Sequence, residues 1–229
     1  MIKGMDVQFD KVSAAIHAAA AGRNACLIAA SKLQPASAIR DLALMGQRRF
    51  GENYVHEALT KQTQLADLDL EWHLIGPLQS NKCREAARHF DWVQSIDRAK
   101  LIPILARERP QERPPLNLLI QVNISDESSK SGCAPGLIEE LAQLIEVSAR
   151  LRLRGLMAIP APWPDPDRRR QDFAQMRRLF EHTREMHPQA DTLCMGMSED
   201  FALAIAEGAT MVRIGSALFG TRPATSRPA

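Results

Sequence analysis

Seven residues of this chain have types and settings that can do chemistry: Lys32, Asn53, His73, Ser198, Arg213, Gly215 and Ser216. Lys32 follows Ala25-Cys26-Leu27-Ile28-Ala29-Ala30-Ser31, a run without charge. Turn signals flank it, Gly22-Arg23-Asn24 before and Gln34-Pro35 after. Such a run reads as a strand buried on both faces. A lysine at the end of a rigid strand is partly stripped of water. Desolvation lowers its pKa and exposes the neutral amine that Schiff-base chemistry requires. The plainer reading is a lysine that snorkels out of the strand end.

These residues need elements to hold them. After a leading helix over 7–21, closed by Gly22, strand-like runs alternate with helical patterns. The runs are 25–31, 48–50, 71–76, 91–95, 116–124, 151–159, 192–195 and 210–214. Asp97 is expected to cap the helix after the fourth run, and Ser198 the helix that reaches Glu207. Strict alternation implies a parallel sheet with helical crossovers. Eight such units that close on themselves make an α/β fold, a single (β/α)8 TIM barrel with an extra N-terminal helix. The rival is an open doubly wound sheet, but no glycine fingerprint follows the first strand. One domain is expected over 1–220, followed by a flexible, proline-rich tail over 221–229.

In a barrel, sites form at the C-terminal strand ends. All seven residues fall at such ends. His73 alone would pass for a satisfied core histidine. The last two loops say more, because barrels often bind phosphate there. Gly196-Met197-Ser198 opens a helix, and Gly215-Ser216 offers close backbone approach and a hydroxyl. Two ordinary helix starts would look the same. Lys32, on strand one, neighbours strand eight. A phosphate site beside a desolvated lysine suggests an aldehyde cofactor with a phosphate handle, pyridoxal 5′-phosphate held as a Schiff base. Arg213 precedes Gly215 by two positions and so shares its side of the strand end. An arginine stays protonated and would leave the ring nitrogen unprotonated, a weaker electron sink.

Composition narrows the classes. Net charge is +2, with 29 basic and 27 acidic residues, which gives no electrostatic case for nucleic acid or an anionic membrane. Arg168-Arg169-Arg170 sits among acidic residues and reads as a solvated helix face. The scattered cysteines Cys26, Cys83, Cys133 and Cys194 suit reduced thiols of a cytoplasmic protein. No histidine spacing suggests a metal site. The N-terminal residues do not resemble a signal peptide, and no apolar stretch is long enough for a membrane span.

The motifs Ser31-Lys32, Phe50-Gly51-Glu52-Asn53-Tyr54, Trp72-His73-Leu74-Ile75-Gly76-Pro77-Leu78-Gln79-Ser80-Asn81-Lys82, Ser129-Lys130-Ser131-Gly132, Gly155-Leu156-Met157-Ala158-Ile159-Pro160, Met195-Gly196-Met197-Ser198-Glu199-Asp200 and Val212-Arg213-Ile214-Gly215-Ser216-Ala217-Leu218-Phe219-Gly220 resemble those of the pyridoxal phosphate homeostasis proteins. That family is similar to the N-terminal barrel of alanine racemase, a fold-type III arrangement. The resemblance covers about 25–220. It implies that Lys32 anchors the cofactor, that Ser198, Gly215 and Ser216 hold its phosphate, and that Arg213 faces its ring nitrogen. Asn53 and His73 would lie near the cofactor, and Lys82 and Lys130 would help its transfer. Leu33-Gln34 replaces the commoner Thr-Lys, and Ser216 stands where threonine is usual.

The resemblance also implies a carrier or regulator of the free cofactor, with apo pyridoxal phosphate enzymes as recipients and effects on amino- and keto-acid balance. A racemase is the alternative. It would need an acid–base group on each substrate face. The chain's one tyrosine, Tyr54, is expected to pack at a helix start. A phosphate-sugar enzyme with a substrate Schiff base is a third possibility. No long exposed apolar stripe is evident, so a monomer is expected.

Overall fold

The strand-like runs become strands: β1 (Cys26–Ala30), β2 (Arg49–Glu52), β3 (Glu71–Leu74), β4 (Trp92–Ile96), β5 (Leu116–Val122), β6 (Leu151–Ala158), β7 (Thr192–Cys194) and β8 (Met211–Ile214). The computed structural model describes residues 4–125 and 131–220. The tail over 221–229 and Lys130 lie outside the described residues. Among the described residues, the eight strands form a closed parallel barrel in sequence order. β1 pairs with β8 from Cys26↔Met211 to Ala29↔Ile214. That pairing closes the sheet and rules out the open one, whose edge strands lack a second neighbour.

Parallel strands need crossovers. The helices are α1 (Met5–Ala20), α2 (Ala36–Leu44), α3 (Val55–Gln64), α4 (Cys83–His89), α5 (Ile102–Glu108), α6 (Ile138–Glu146), α7 (Pro166–Met186), α8 (Phe201–Ala206) and α9 (Ser216–Phe219). α1 is the extra N-terminal helix. It buries Val12, Ile16 and Ala20 at fourfold spacing and packs against α8 and α9. No helix of the described residues is long and apolar enough to cross a membrane.

Two apolar layers result. A shell of buried side chains joins strands to helices, with Phe50, Leu74, Phe90, Leu118 and Phe173 among them. Inside the barrel, Ile28, Trp92, Leu119, Met157, Cys194 and Met211 pack together. Each fully buried side chain of this size contributes about 1.5–3 kcal/mol. Polar residues also lie buried, His73, Gln94 and Arg213 among them. Unpaired, they would be costly, so their partners matter.

Two expected caps are displaced. α8 begins later than Ser198 suggests. Residues 198–200 form a turn, Asp200 is the N-cap, and its Oδ1 accepts the Met197 N–H at 2.7 Å. Asp97 does not cap its helix. Arg98 Nη1 donates to it at 2.6 Å, and a 3-10 turn over Ala99–Leu101 precedes α5. α7 starts earlier than its apolar stripe, because Asp165 accepts the Asp167 N–H and Pro166 fits the first turn.

Candidate functional site

A cavity of about 490 Å³ opens at the C-terminal ends of the strands. Six of the seven residues singled out above line it: Lys32, Asn53, Ser198, Arg213, Gly215 and Ser216. Gly76, just beyond β3, lies against Asn53, and a Cβ there would meet the Asn53 carbonyl oxygen at 2.4 Å.

Lys32 follows β1 by two positions, and its loop is clamped on both sides. Before it, the Ser31 N–H donates to Gly51 O at 2.9 Å, and the Ser31 hydroxyl donates to Glu52 Oε1 at 2.6 Å. After it, Leu33 takes the left-handed conformation, with φ +62°, and its N–H donates to Glu57 Oε1 at 2.6 Å. One ammonium joins these contacts. Lys61 Nζ, from α3, donates to Ser31 O at 2.8 Å, Glu52 Oε1 at 2.7 Å and Glu57 Oε1 at 2.6 Å. Burial pushes the Glu52 carboxyl up from its ordinary value, and Lys61 and Ser31 oppose that shift. A left-handed non-glycine residue beside a functional group costs of order 1–3 kcal/mol and persists where its surroundings over-determine it.

Arg213, on β8, reaches across the barrel end. Nη1 donates to Cys194 O at 3.1 Å and to Cys194 Sγ at 2.9 Å, and Nη2 donates to Ala158 O at 2.9 Å. β6 and β7 therefore hold a permanent cation by two carbonyls and a sulfur. Gly196 turns the chain out of β7 with φ +94°, where a Cβ would meet Ala204 Cβ at 2.6 Å. Ser198 follows in the turn. Gly215 precedes α9, whose first amides have no partner within the helix. Hydroxyls, amides and cations thus share one cavity, which can take an anionic group and an electrophile together. Glu199 and Asp200 also line it, with Asp200 engaged by the Met197 N–H.

His73 is not brought to this cavity. It lies fully buried inside the barrel and stacks on Trp92, with ring centroids 5.3 Å apart. Its Nε2 lies 2.8 Å from Glu71 Oε1, and its Nδ1 lies 2.9 Å from Gln94 Nε2. The reason is register. β3 ends at Leu74, and the inward positions Glu71 and His73 lie below the mouth. Burial lowers the His73 pKa, with Glu71 opposing, which favours the neutral ring. Lys82 closes a 3-10 turn outside the lining, and Tyr54 precedes α3 with its side chain exposed rather than packed.

Other lining residues escaped the sequence reading. Pro160, Pro162, Trp163 and Pro164 form one wall. The Trp163 indole donates to Asp172 Oδ2 at 3.0 Å. Ser125 also donates to that oxygen, at 2.8 Å, and accepts the Ala161 N–H. Arg169 lines the mouth, whereas its neighbours Arg168 and Arg170 are exposed as expected. The prolines after the sixth strand were the available signal, since wall-forming loops follow barrel strands.

Residues 13–223 match the family model of the alanine racemase N-terminal domain. The pyridoxal phosphate homeostasis protein of Pseudomonas aeruginosa is 52% identical over 217 residues, 93% of each chain. That of Escherichia coli is 51% identical over 219 residues, again 93% of each chain. Among solved structures, PipY of Synechococcus elongatus with pyridoxal phosphate bound superposes with a TM-score of 0.83 at 39% identity, covering 94% of this chain and 100% of that one. Alanine racemase from Corynebacterium glutamicum shares the fold, with a TM-score of 0.65 at 20% identity over 94% of this chain and 63% of that one.

Proposed function

The chain belongs to the pyridoxal phosphate homeostasis proteins, and from that premise we propose that it binds pyridoxal 5′-phosphate at the barrel mouth and stores or delivers it. One observation carries the reading: Lys32, Arg213, Ser198, Gly215 and Ser216 line a common cavity. The donor set suits the cofactor. It has an amine for an aldehyde, a fixed cation for a ring nitrogen, and hydroxyls with helix-end amides for a phosphate.

When bound, the cofactor supplies an aldehyde that an amine can capture covalently. Lys32 provides that amine, and the Lys61 network keeps its loop in position. Arg213 offers donors and no acceptor, so a ring nitrogen beside it stays unprotonated. Ser198 and Ser216 orient the phosphate. Asn53, whose backbone lies close against Gly76, adds a polar residue to the wall. The site so equipped favours holding the cofactor over demanding carbanion chemistry, which supports a carrier that supplies apo enzymes.

The cysteines support a reducing, cytoplasmic setting. All are free thiols, and burial pushes Cys26, Cys83 and Cys133 up to about 11. The exposed apolar side chains Val7, Leu44 and Met186 lie on separate helices, and the group Leu137, Leu144 and Val147 around α6 is small, which supports a monomer. The test of the binding reading is borohydride reduction of the cofactor-loaded protein followed by peptide mass mapping. An adduct on the Lys32 peptide is expected, and an adduct elsewhere overturns the reading.

A further inference from the structure

A line of hydrogen bonds runs through the barrel interior from its lower face to the cavity. Arg213 Nη1 donates to Cys194 Sγ at 2.9 Å. Cys194 Sγ donates to Gln94 Oε1 at 3.0 Å. Gln94 Nε2 lies 2.9 Å from His73 Nδ1, and His73 Nε2 lies 2.8 Å from Glu71 Oε1. The four contacts link β8, β7, β4 and β3 across the barrel.

The ends of this line fix its direction. A guanidinium can only donate, and an ionised carboxylate can only accept. Every member between them must therefore accept from the Arg213 side and donate toward Glu71. Cys194 does so as a thiol, and burial pushes its pKa up. Gln94 does so with its oxygen toward the thiol and its nitrogen toward the ring. Its nitrogen also lies 3.1 Å from Met211 Sδ, so both amide hydrogens have acceptors. His73 does so as the neutral tautomer with its proton on Nε2. Glu71 is held in turn by Arg49 Nε at 3.2 Å. The thiol at position 194 is thus bonded on both sides, and the glutamine orientation is determined.

We propose that this line positions the guanidinium of Arg213 for the cofactor, with Cys194, Gln94 and His73 as positioning residues and Glu71 as the terminal acceptor on the lower face. The inference rests on the reading of Arg213 given above. A positioning role differs from plain packing in one respect. Packing asks for volume at Cys194 and Gln94, whereas positioning asks for a group that accepts and donates in sequence.

Two measurements test this. The first needs no cofactor. Infrared difference spectra between the wild type and Cys194→Ala isolate the Cys194 S–H stretch. The band is expected at the lowered frequency of a hydrogen-bonded thiol and should move up in Gln94→Leu. A band at the free-thiol frequency in the wild type overturns the proposal. The second is pyridoxal phosphate affinity with the absorbance of the bound state. Cys194→Ala should weaken binding about tenfold, the loss expected for a hydrogen bond to a charged group, and shift the absorbance. Cys194→Ser should restore both. Equal affinity and spectra for all three proteins overturn the proposal. A wild type that binds no pyridoxal phosphate overturns the function reading instead, and the infrared result then decides the line alone.

Discussion

Lys61 Nζ lies 2.8 Å from the carbonyl oxygen of Ser31, the residue before Lys32. The same ammonium meets buried Glu52 at 2.7 Å and half-buried Glu57 at 2.6 Å. A buried cation with three acceptors fixes the path of the loop that carries Lys32, the amine proposed to anchor the cofactor. Its removal would strip the cation from two carboxylates and a carbonyl, leaving Glu52 only the Ser31 hydroxyl and Glu57 only the Leu33 N–H. Lys61→Met is therefore expected to destabilise the fold by about 3–5 kcal/mol, the range for breaking a buried ion pair from one side. Urea denaturation should show a lower midpoint with an unchanged slope. Trapping of pyridoxal phosphate on Lys32 should slow in the same variant. Wild-type stability in Lys61→Met would refute the clamp.

The proposed phosphate roles of Ser198 and Ser216 make a separate prediction. Ser198→Ala and Ser216→Ala should each weaken pyridoxal phosphate binding about tenfold, as expected for a lost hydrogen bond to a charged group. Neither should alter the weaker binding of pyridoxal, which lacks the phosphate. Comparing the two ligands by titration calorimetry separates phosphate recognition from general damage. Equal losses for both ligands would assign the serines to the fold instead.

The barrel was legible in the sequence because most strands are apolar runs between turn signals, and the short β2, with Arg49 and Glu52 at its ends, was placed by the strict alternation with helices. The mouth was legible for the same reason, since Lys32, Arg213 and Gly215 stand at strand ends. His73 misled because Ile75 and Gly76 extended the apparent strand past its last ladder residue, Leu74. Glu71 and His73 do share a face by alternation, but their depth depends on register. Lys61 carried a faint signal in Glu57 four residues earlier on α3. Its bond to Glu52 depends on how α3 docks on β2, which local spacing does not encode. Gln94 and Cys194 are 100 positions apart, and their contact exists only once the barrel closes.

Acid stability follows from the buried histidine. The folded-state pKa of His73 is lowered, chiefly by burial. Below about pH 6.5 the unfolded chain takes up a proton that the folded ring does not. The stability associated with neutral His73 is thus fully present above that pH and is lost as pH falls toward the folded value. His89, also lowered chiefly by burial, acts in the same sense. Glu52, whose pKa is raised, acts in the opposite sense above the ordinary carboxylate range. Subtracting the Tm–pH curve of His73→Gln from that of the wild type cancels both. The difference should slope downward as pH falls from about 6.5, and a flat difference would mean that His73 titrates normally.

Carrier and racemase readings part over proton transfer. A racemase must exchange a proton at each face of a substrate carbon. Lys32 can serve one face. Among the described residues lining the cavity, Glu199 and Asp200 are the further proton-transfer groups, and Asp200 already accepts the Met197 N–H at 2.7 Å. Arg213 on the ring side would also leave the cofactor a weak electron sink, which slows removal of an α-proton. The loaded protein, incubated with single enantiomers of small amino acids, should leave their optical purity unchanged by chiral chromatography. The cofactor should pass instead to an added apo enzyme, read as recovered activity of that enzyme. Sustained loss of optical purity that disappears in Glu199→Gln would identify Glu199 as the second base and make the protein a racemase.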